Sequence, residues 1–323
     1  MTGPDPLDIE QEKRQTLEEI RFRRDYLKTL DGLREKCSRA LTAEYVWKKI
    51  LLRREKGERA IGTDVYWWDE WAGPFRRSNL YCIAGYQGTG KTTLVGNLTW
   101  PMAKRGVKVW NYCLELTADE SFEVLAGIIL GKAVINESDE VAAYAEIDPS
   151  GYRFFEPERD LSWEQHITII QKTVRAEKID LVVVDNFSYL TSVAKNSYET
   201  ERVAAKALKG LAQELEIPII VIAHLRKPDR DDSEPKPTAH SVLGSGAISQ
   251  ASSDTFILHH PLEDSETNSR QPVGYILSGK PRWTMGGKRY IRFDGRRRKY
   301  EAATAGEYRV KSTGEKLPGY SNG

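Results

Sequence analysis

The short β-type run Tyr81-Cys82-Ile83-Ala84 leads into Gly85-Tyr86-Gln87-Gly88-Thr89-Gly90-Lys91-Thr92, after which a helical pattern begins. The string satisfies G-x-x-x-x-G-K-S/T, which composition alone yields in on the order of one chain in a hundred of this length, before the strand and helix context is counted. It is read as a phosphate-binding loop, and it commits the chain to a strand, a tight loop and a helix in that order. Gly85, Gly88 and Gly90 let the backbone curl with its N–H groups turned inward, and Gln87, Thr89 and Thr93 complete the candidate phosphate-contacting set. Lys91 is placed to neutralise β and γ oxygens, Thr92 to offer its hydroxyl to Mg²⁺, and the helix N-terminus to add its dipole.

The texture around this loop is that of an α/β protein with a mostly parallel sheet. Strands are expected at Leu80 to Ala84, Val107 to Leu114, Tyr152 to Phe155, Leu181 to Val184, Ile219 to Ala223, Thr255 to His259, Gly274 to Ser278 and Arg289 to Phe293. Helices are expected over Lys91 to Leu98, Asp119 to Val134, Ser162 to Glu177, Glu199 to Leu215 and Ala247 to Ser252, the first cut short by Trp100-Pro101. The last two strands follow each other without a helix, so the sheet should end in antiparallel hairpins. Upstream, Leu7 to Lys56 holds no Pro and one Gly (Gly32), with leucines at three- and four-residue steps. That pattern predicts a helical arm bent near Gly32, with a second helical stretch from Thr42 to Arg54. The expected organisation is an arm over 1–60, an ATPase-type domain over 61–310 and an unstructured tail over 311–323, with a further mobile loop at Lys227 to Thr238. The aromatic cluster Tyr66, Trp67, Trp68 and Trp71 is expected to pack an edge of the sheet, because Asp64, Asp69 and Glu70 beside it would repel a phosphate chain.

A second anchor for Mg²⁺ is supplied by Ile179-Asp180-Leu181-Val182-Val183-Val184-Asp185, a buried-type strand ending in a carboxylate, with Asp185 the candidate ligand. Hydrolysis also needs a base or water-orienting group near the γ-phosphate. Glu115 is the candidate, at the end of Tyr112-Cys113-Leu114 and expected on a strand next to the loop strand, at the carboxyl edge where open α/β sheets bind ligands.

These elements, in this order, resemble the RecA-like ring helicases of the DnaB type, a group that includes the phage primase-helicases. The resemblance covers roughly Ile61 to Ala302. It is carried by G-Y-Q-G-T-G-K-T-T, C-L-E-L, V-V-V-D-N, I-V-I-A-H-L-R-K-P, and L-G-S-G-A-I-S-Q-A-S-S-D followed by G-K-P-R. It implies a RecA-like P-loop NTPase fold and a catalytic role for Glu115. His224 would sense the γ-phosphate, and Lys280 and Arg282 would form a K-x-R pair reaching into a neighbour's ATP site as an arginine finger. It further implies DNA contacts through L-G-S-G-A-I-S-Q, with Arg226, Lys227, Ser245 and Gly246 as candidates, and with Lys195 and Arg202 from the loop after Asp185. One extra residue separates Gln250 from Asp254 relative to the usual family string.

The function expected on this basis is an ATP-dependent, DnaB-like helicase translocating on single-stranded DNA during replication, for instance of a phage or mobile element. It would be assembled as a homo-oligomeric ring, in the family a hexamer, with the arm available to a primase or loader. The guanine-reading N-K-x-D string is absent, which favours ATP over GTP. A RecA/RadA-type recombination ATPase and a KaiC-like ATPase acting on a protein partner would use the same nucleotide site. Composition excludes some alternatives: with 48 basic and 47 acidic residues, bulk charge is no argument for nucleic acid. No apolar stretch approaches the ~18 residues of a membrane span. Met1 to Glu10 carries three acids, so no secretory leader is expected. The three cysteines form no C-x-x-C pair, and a reducing cytoplasm is the expected setting.

Overall fold

The computed structural model describes residues 41–55, 60–156, 160–192, 197–225, 237, 246–264, 269–279 and 286–312. The chain divides into two units, Met1–Lys56 and Gly57–Gly323. The described part of the first is one helix, α1 (Ala43–Glu55). It starts where the Thr42 hydroxyl accepts from the Tyr45 N–H at 3.2 Å, carries a Glu44–Lys48 ion pair at 2.7 Å, and leaves Val46 and Trp47 exposed. Among the described residues no helix is long and apolar enough to cross a membrane.

The second unit is built on a nine-stranded sheet. Its strands are β3 (Leu80–Gly85), β4 (Val109–Cys113), β5 (Tyr152–Phe154), β6 (Leu181–Asp185), β7 (Ile219–His224), β8 (Asp254–His259), β11 (Val273–Ser278), β12 (Gly287–Asp294) and β13 (Lys299–Ala302). Two short ribbons, β1 (Ala60–Ile61) with β2 (Phe75–Arg76) and β9 (Leu262–Asp264) with β10 (Ser269–Arg270), lie apart from it. The spatial order is β13-β12-β11-β8-β3-β7-β6-β4-β5, parallel from β5 to β8 and antiparallel beyond. Every residue of β3, β4, β6 and β8 is buried, as a parallel sheet covered on both faces requires.

The helices that cover it start and stop on local chemistry. In α4 (Ala118–Leu130), α5 (Glu137–Ile147) and α6 (Trp163–Glu177) a capping box opens the helix: Thr117 with Glu120, Asn136 with Asp139, and Ser162 with Gln165. One face of the sheet is packed by α6, α8 (Ser197–Glu214) and α9 (Ala247–Ala251) through residues such as Ile170, Val174, Leu208, Leu211 and Ile248. The other face is packed by α3 (Lys91–Lys104), α4 and α5 through Leu94, Leu98, Met102, Leu125 and Ile147. The short helix α2 (Tyr66–Trp71) plugs the sheet with Trp68, which is fully buried, its ring 4.9 Å from Phe256 and 5.9 Å from Phe75, while Tyr66 stays exposed. Trp68→Ala should therefore destabilise the unit by about 3–5 kcal/mol, measured as a shift in the denaturant midpoint, since the cavity opens among four aromatic neighbours, Trp67, Trp71, Phe75 and Phe256.

Several expectations are corrected. α3 runs through Pro101 to Lys104, because a proline in the last turn forfeits one bond while the buried Leu98, Met102 and Ala103 keep the turn packed. The helix expected to reach Val134 stops at Leu130, where Gly131 takes a left-handed conformation, and α5 follows as a separate helix. The antiparallel edge contains one strand more than expected, β13. Lys311 and Ser312, expected to begin an unstructured tail, instead end a helix, Ala305–Ser312. Residues 1–40 and 56–59 of the expected arm, the Gly32 bend among them, the loop Lys227 to Thr238 except Pro237, and the tail beyond Ser312 lie outside the described residues.

Candidate functional site

The site is assembled by sheet register. Cys113 on β4, Asp185 on β6 and Ile222 on β7 are laterally paired, and Gly85 on β3 is level with His224 on β7. Side chains two residues apart on a strand share a face, so Glu115 and His224, each two positions past that row, project together beyond Asp185. The expectation that Glu115 follows a strand adjacent to the loop strand is corrected: β3 is flanked by β7 and β8, and β4 lies beyond β7 and β6. The chain leaving α3 crosses two positions that later strands fill, so sequence order did not translate into adjacency.

Three groups of contacts organise the phosphate loop. Gly88 and Gly90 adopt φ of 74° and 81°, a conformation that side chains disfavour. At Gly85 a Cβ would sit 2.7 Å from the Leu258 carbonyl, so only glycine lets β8 approach there. The Tyr86 carbonyl accepts from the Thr89 hydroxyl at 2.8 Å and from Lys91 Nζ at 2.9 Å. The same ammonium lies 3.2 Å from His224 Nδ1. Gln87 and Gly88 are exposed at the loop tip, Thr93 is half-buried on the first turn of α3, and Lys91 is buried.

Next to the loop, the Thr92 hydroxyl donates to Asp185 Oδ2 at 2.6 Å. Burial pushes the Asp185 carboxyl up to about 6, with Thr92 and Lys91 acting in the opposite sense. A buried carboxylate beside a hydroxyl is a hard-oxygen pair suited to Mg²⁺, which takes one or two protein oxygens and completes its shell with phosphate and water. Among the described residues no group of three or more His, Cys, Asp and Glu could hold a metal ion by itself.

Asn186 joins the remaining groups. Its side-chain nitrogen donates to Glu115 Oε2 at 2.5 Å and lies 3.1 Å from His224 Nε2, while its oxygen caps α7 (Phe187–Leu190) by accepting from the Tyr189 N–H at 3.2 Å. Glu115 Oε2 and His224 Nε2 are 3.9 Å apart. The imidazole, helped by Asn186 and Lys91, holds Glu115 below the ordinary carboxylate range against partial burial. Asn186 enters the sequence pattern only as the last residue of V-V-V-D-N; a polar residue directly after the strand-end Asp is the available signal for it.

Lys91, Thr92, Glu115, Asp185 and His224 are thus brought into one constellation. Arg202 lies apart on α8, exposed and paired with Glu199 at 3.0 Å, and Gly246 is buried at the start of α9. Lys195, Arg226, Lys227, Ser245, Lys280 and Arg282 fall outside the described residues.

Residues 60–302 match the family described as the DnaB-like helicase C-terminal domain. The chain is 26% identical over 204 residues to the DNA helicase/primase of Enterobacteria phage T3, covering 56% of this chain and 35% of that protein. It is 20% identical over 278 residues to the replicative DNA helicase DnaB of Haemophilus influenzae, covering 80% of this chain and 58% of that one. The chain thus spans about a fifth to three fifths of the curated relatives it matches. A solved DnaB-like replicative helicase, studied together with its interactions with primase, superposes with a TM-score of 0.65 at 17% identity, covering 90% of this chain and 74% of that one. At that identity the likeness speaks for the fold alone.

Proposed function

The chain belongs to the DnaB-like helicase C-terminal domain family, and from that premise we propose that it is the ATP-hydrolysing engine of a replicative DNA helicase. The observation that carries this reading is the convergence of the phosphate loop, Asp185, Glu115 and His224 at the carboxyl ends of β3, β6, β4 and β7. Gly85, Gln87, Gly88, Thr89, Gly90, Lys91, Thr92 and Thr93 bind the phosphates of ATP. Thr92 and Asp185 would hold Mg²⁺, which when bound would supply charge neutralisation at the phosphates. Glu115, ionised and fixed by Asn186, orients the attacking water; its lowered pKa makes it a ready acceptor but a weak base, so orientation is its larger contribution. His224 touches both Lys91 and the Asn186–Glu115 pair, and so registers what occupies the γ position.

Lys280 and Arg282 act on a neighbouring subunit's nucleotide in a ring, a hexamer by family precedent, where a guanidinium stabilises charge developing in transfer. Single-stranded DNA is held by the segments after Asp185 and His224, with Lys195, Arg202, Arg226, Lys227, Ser245 and Gly246 as contacts. A primase or loader engages the N-terminal arm.

The test is steady-state ATP hydrolysis with and without single-stranded DNA at low and moderate salt. Hydrolysis should rise severalfold with DNA, and the stimulation should fade as salt rises, because phosphate contacts release counterions. Hydrolysis indifferent to DNA at every salt concentration would count against the helicase reading and leave a DNA-independent ATPase.

A further inference from the structure

We propose that Tyr300, on the distant edge strand β13, is a positioning residue for the phosphate loop, its hydroxyl setting the direction of two loop peptides. The inference rests on the nucleotide-binding reading above and adds a residue that neither the motif nor the family resemblance singles out. The hydroxyl donates toward the Thr89 carbonyl at 3.1 Å and the Gly90 carbonyl at 3.2 Å. In a planar trans peptide the C=O and the following N–H point in opposite directions. Holding the Thr89 carbonyl therefore orients the Gly90 N–H, and holding the Gly90 carbonyl orients the Lys91 N–H, two donors of the phosphate cradle.

The arrangement is built rather than incidental. Tyr300 is buried, with its ring 4.9 Å from Phe293 and 5.9 Å from His260. Burial pushes the phenol's pKa up, so it stays a proton donor. Asn97, two turns into α3, fastens the strand beside it: its amide nitrogen donates to the Thr93 carbonyl at 2.8 Å and the Arg298 carbonyl at 2.9 Å, and its oxygen accepts from the Tyr300 N–H at 3.3 Å. A Cβ added at Gly90 would collide with the Tyr300 hydroxyl, so the invading phenol is a second reason, besides φ, for glycine at this position.

The experiment compares the wild type with Tyr300→Phe, which keeps the ring and deletes only the hydroxyl. Affinity for a fluorescent ATP analogue, kcat and KM for ATP, and thermal melting are measured for both. The expected result is about tenfold weaker binding and a matching rise in KM, with kcat within about twofold and a melting temperature within a few degrees. Wild-type binding with unchanged affinity in Tyr300→Phe would overturn the proposal while leaving the nucleotide reading intact. Melting and kcat falling together at constant KM would also overturn it, by making Tyr300 a packing residue. Failure of the wild type itself to bind would remove the nucleotide reading, and the proposal with it. Asn97→Ala keeps the hydroxyl and loosens only its mounting, so its affinity should fall less than that of Tyr300→Phe; a larger loss would place the effect in α3 rather than in the phenol.

Discussion

Replacing Lys91 with Ala should weaken nucleotide binding by at least ~100-fold and remove hydrolysis. The ammonium is buried among the Tyr86 carbonyl at 2.9 Å and His224 Nδ1 at 3.2 Å, poised at the mouth of a helix whose dipole already favours anions. Each charge-assisted hydrogen bond to a phosphate oxygen contributes about 1.5–3 kcal/mol, so losing one to the β and one to the γ oxygen amounts to roughly 3–6 kcal/mol, or two to four decades in affinity. The loop itself should survive, because the Tyr86 carbonyl still accepts from the Thr89 hydroxyl at 2.8 Å and Gly88 and Gly90 keep their turns. Titration with a fluorescent ATP analogue alongside melting curves checks this. Affinity within threefold of wild type in a folded Lys91→Ala protein would refute the phosphate-loop assignment.

Glu115→Gln should separate binding from turnover. The amide has nearly the same shape, and its oxygen can still accept from Asn186, so ATP affinity should stay within about threefold. What disappears is a carboxylate that can align and deprotonate water, which typically contributes ~100-fold or more, and single-turnover hydrolysis should slow by that factor. The pH profile gives a second reading. Because Glu115 is held below the ordinary carboxylate range, it remains ionised as pH falls toward that range, and loss of its contribution is confined to more acid conditions. A rate in Glu115→Gln within threefold of wild type would take Glu115 out of the mechanism.

The elements that carry the candidate site were legible because each has a local signature. The phosphate loop needs glycines at fixed spacing, Asp185 ends an apolar strand, and Ser162 with Gln165 announces a helix start. What sequence did not reveal was lateral position. Glu115 was expected next to the loop strand, but strand order in a parallel sheet is decided by crossovers, and β4 lies past β7 and β6. Asn186 and Tyr300 were missed because each acts through partners far along the chain: Asn186 through Glu115 and His224, Tyr300 through Thr89 and Gly90. The separate helix α5 has a readable start in Asn136 with Asp139, although its apolar positions are too few to mark a helix by periodicity. Pro101 misled in the other direction, since packing of Leu98 and Met102 outweighs one lost backbone bond near a helix end.

The ladder that holds β3 also sets a timetable for biogenesis. At about 5–20 residues per second, the ribosome releases β3 on the order of ten seconds before β8, and its other partner, β7, also emerges long after it. Until both arrive, the apolar run Leu80–Gly85 has no neighbour with which to pair, and such non-local pairing is slow to form. A nascent chain halted before Asp254 lacks one of the two strands that flank β3, and one halted before Tyr300 lacks the phenol that bonds the Thr89 carbonyl. The loop after β3 is therefore completed late in translation, only once the edge strand that carries Tyr300 has emerged.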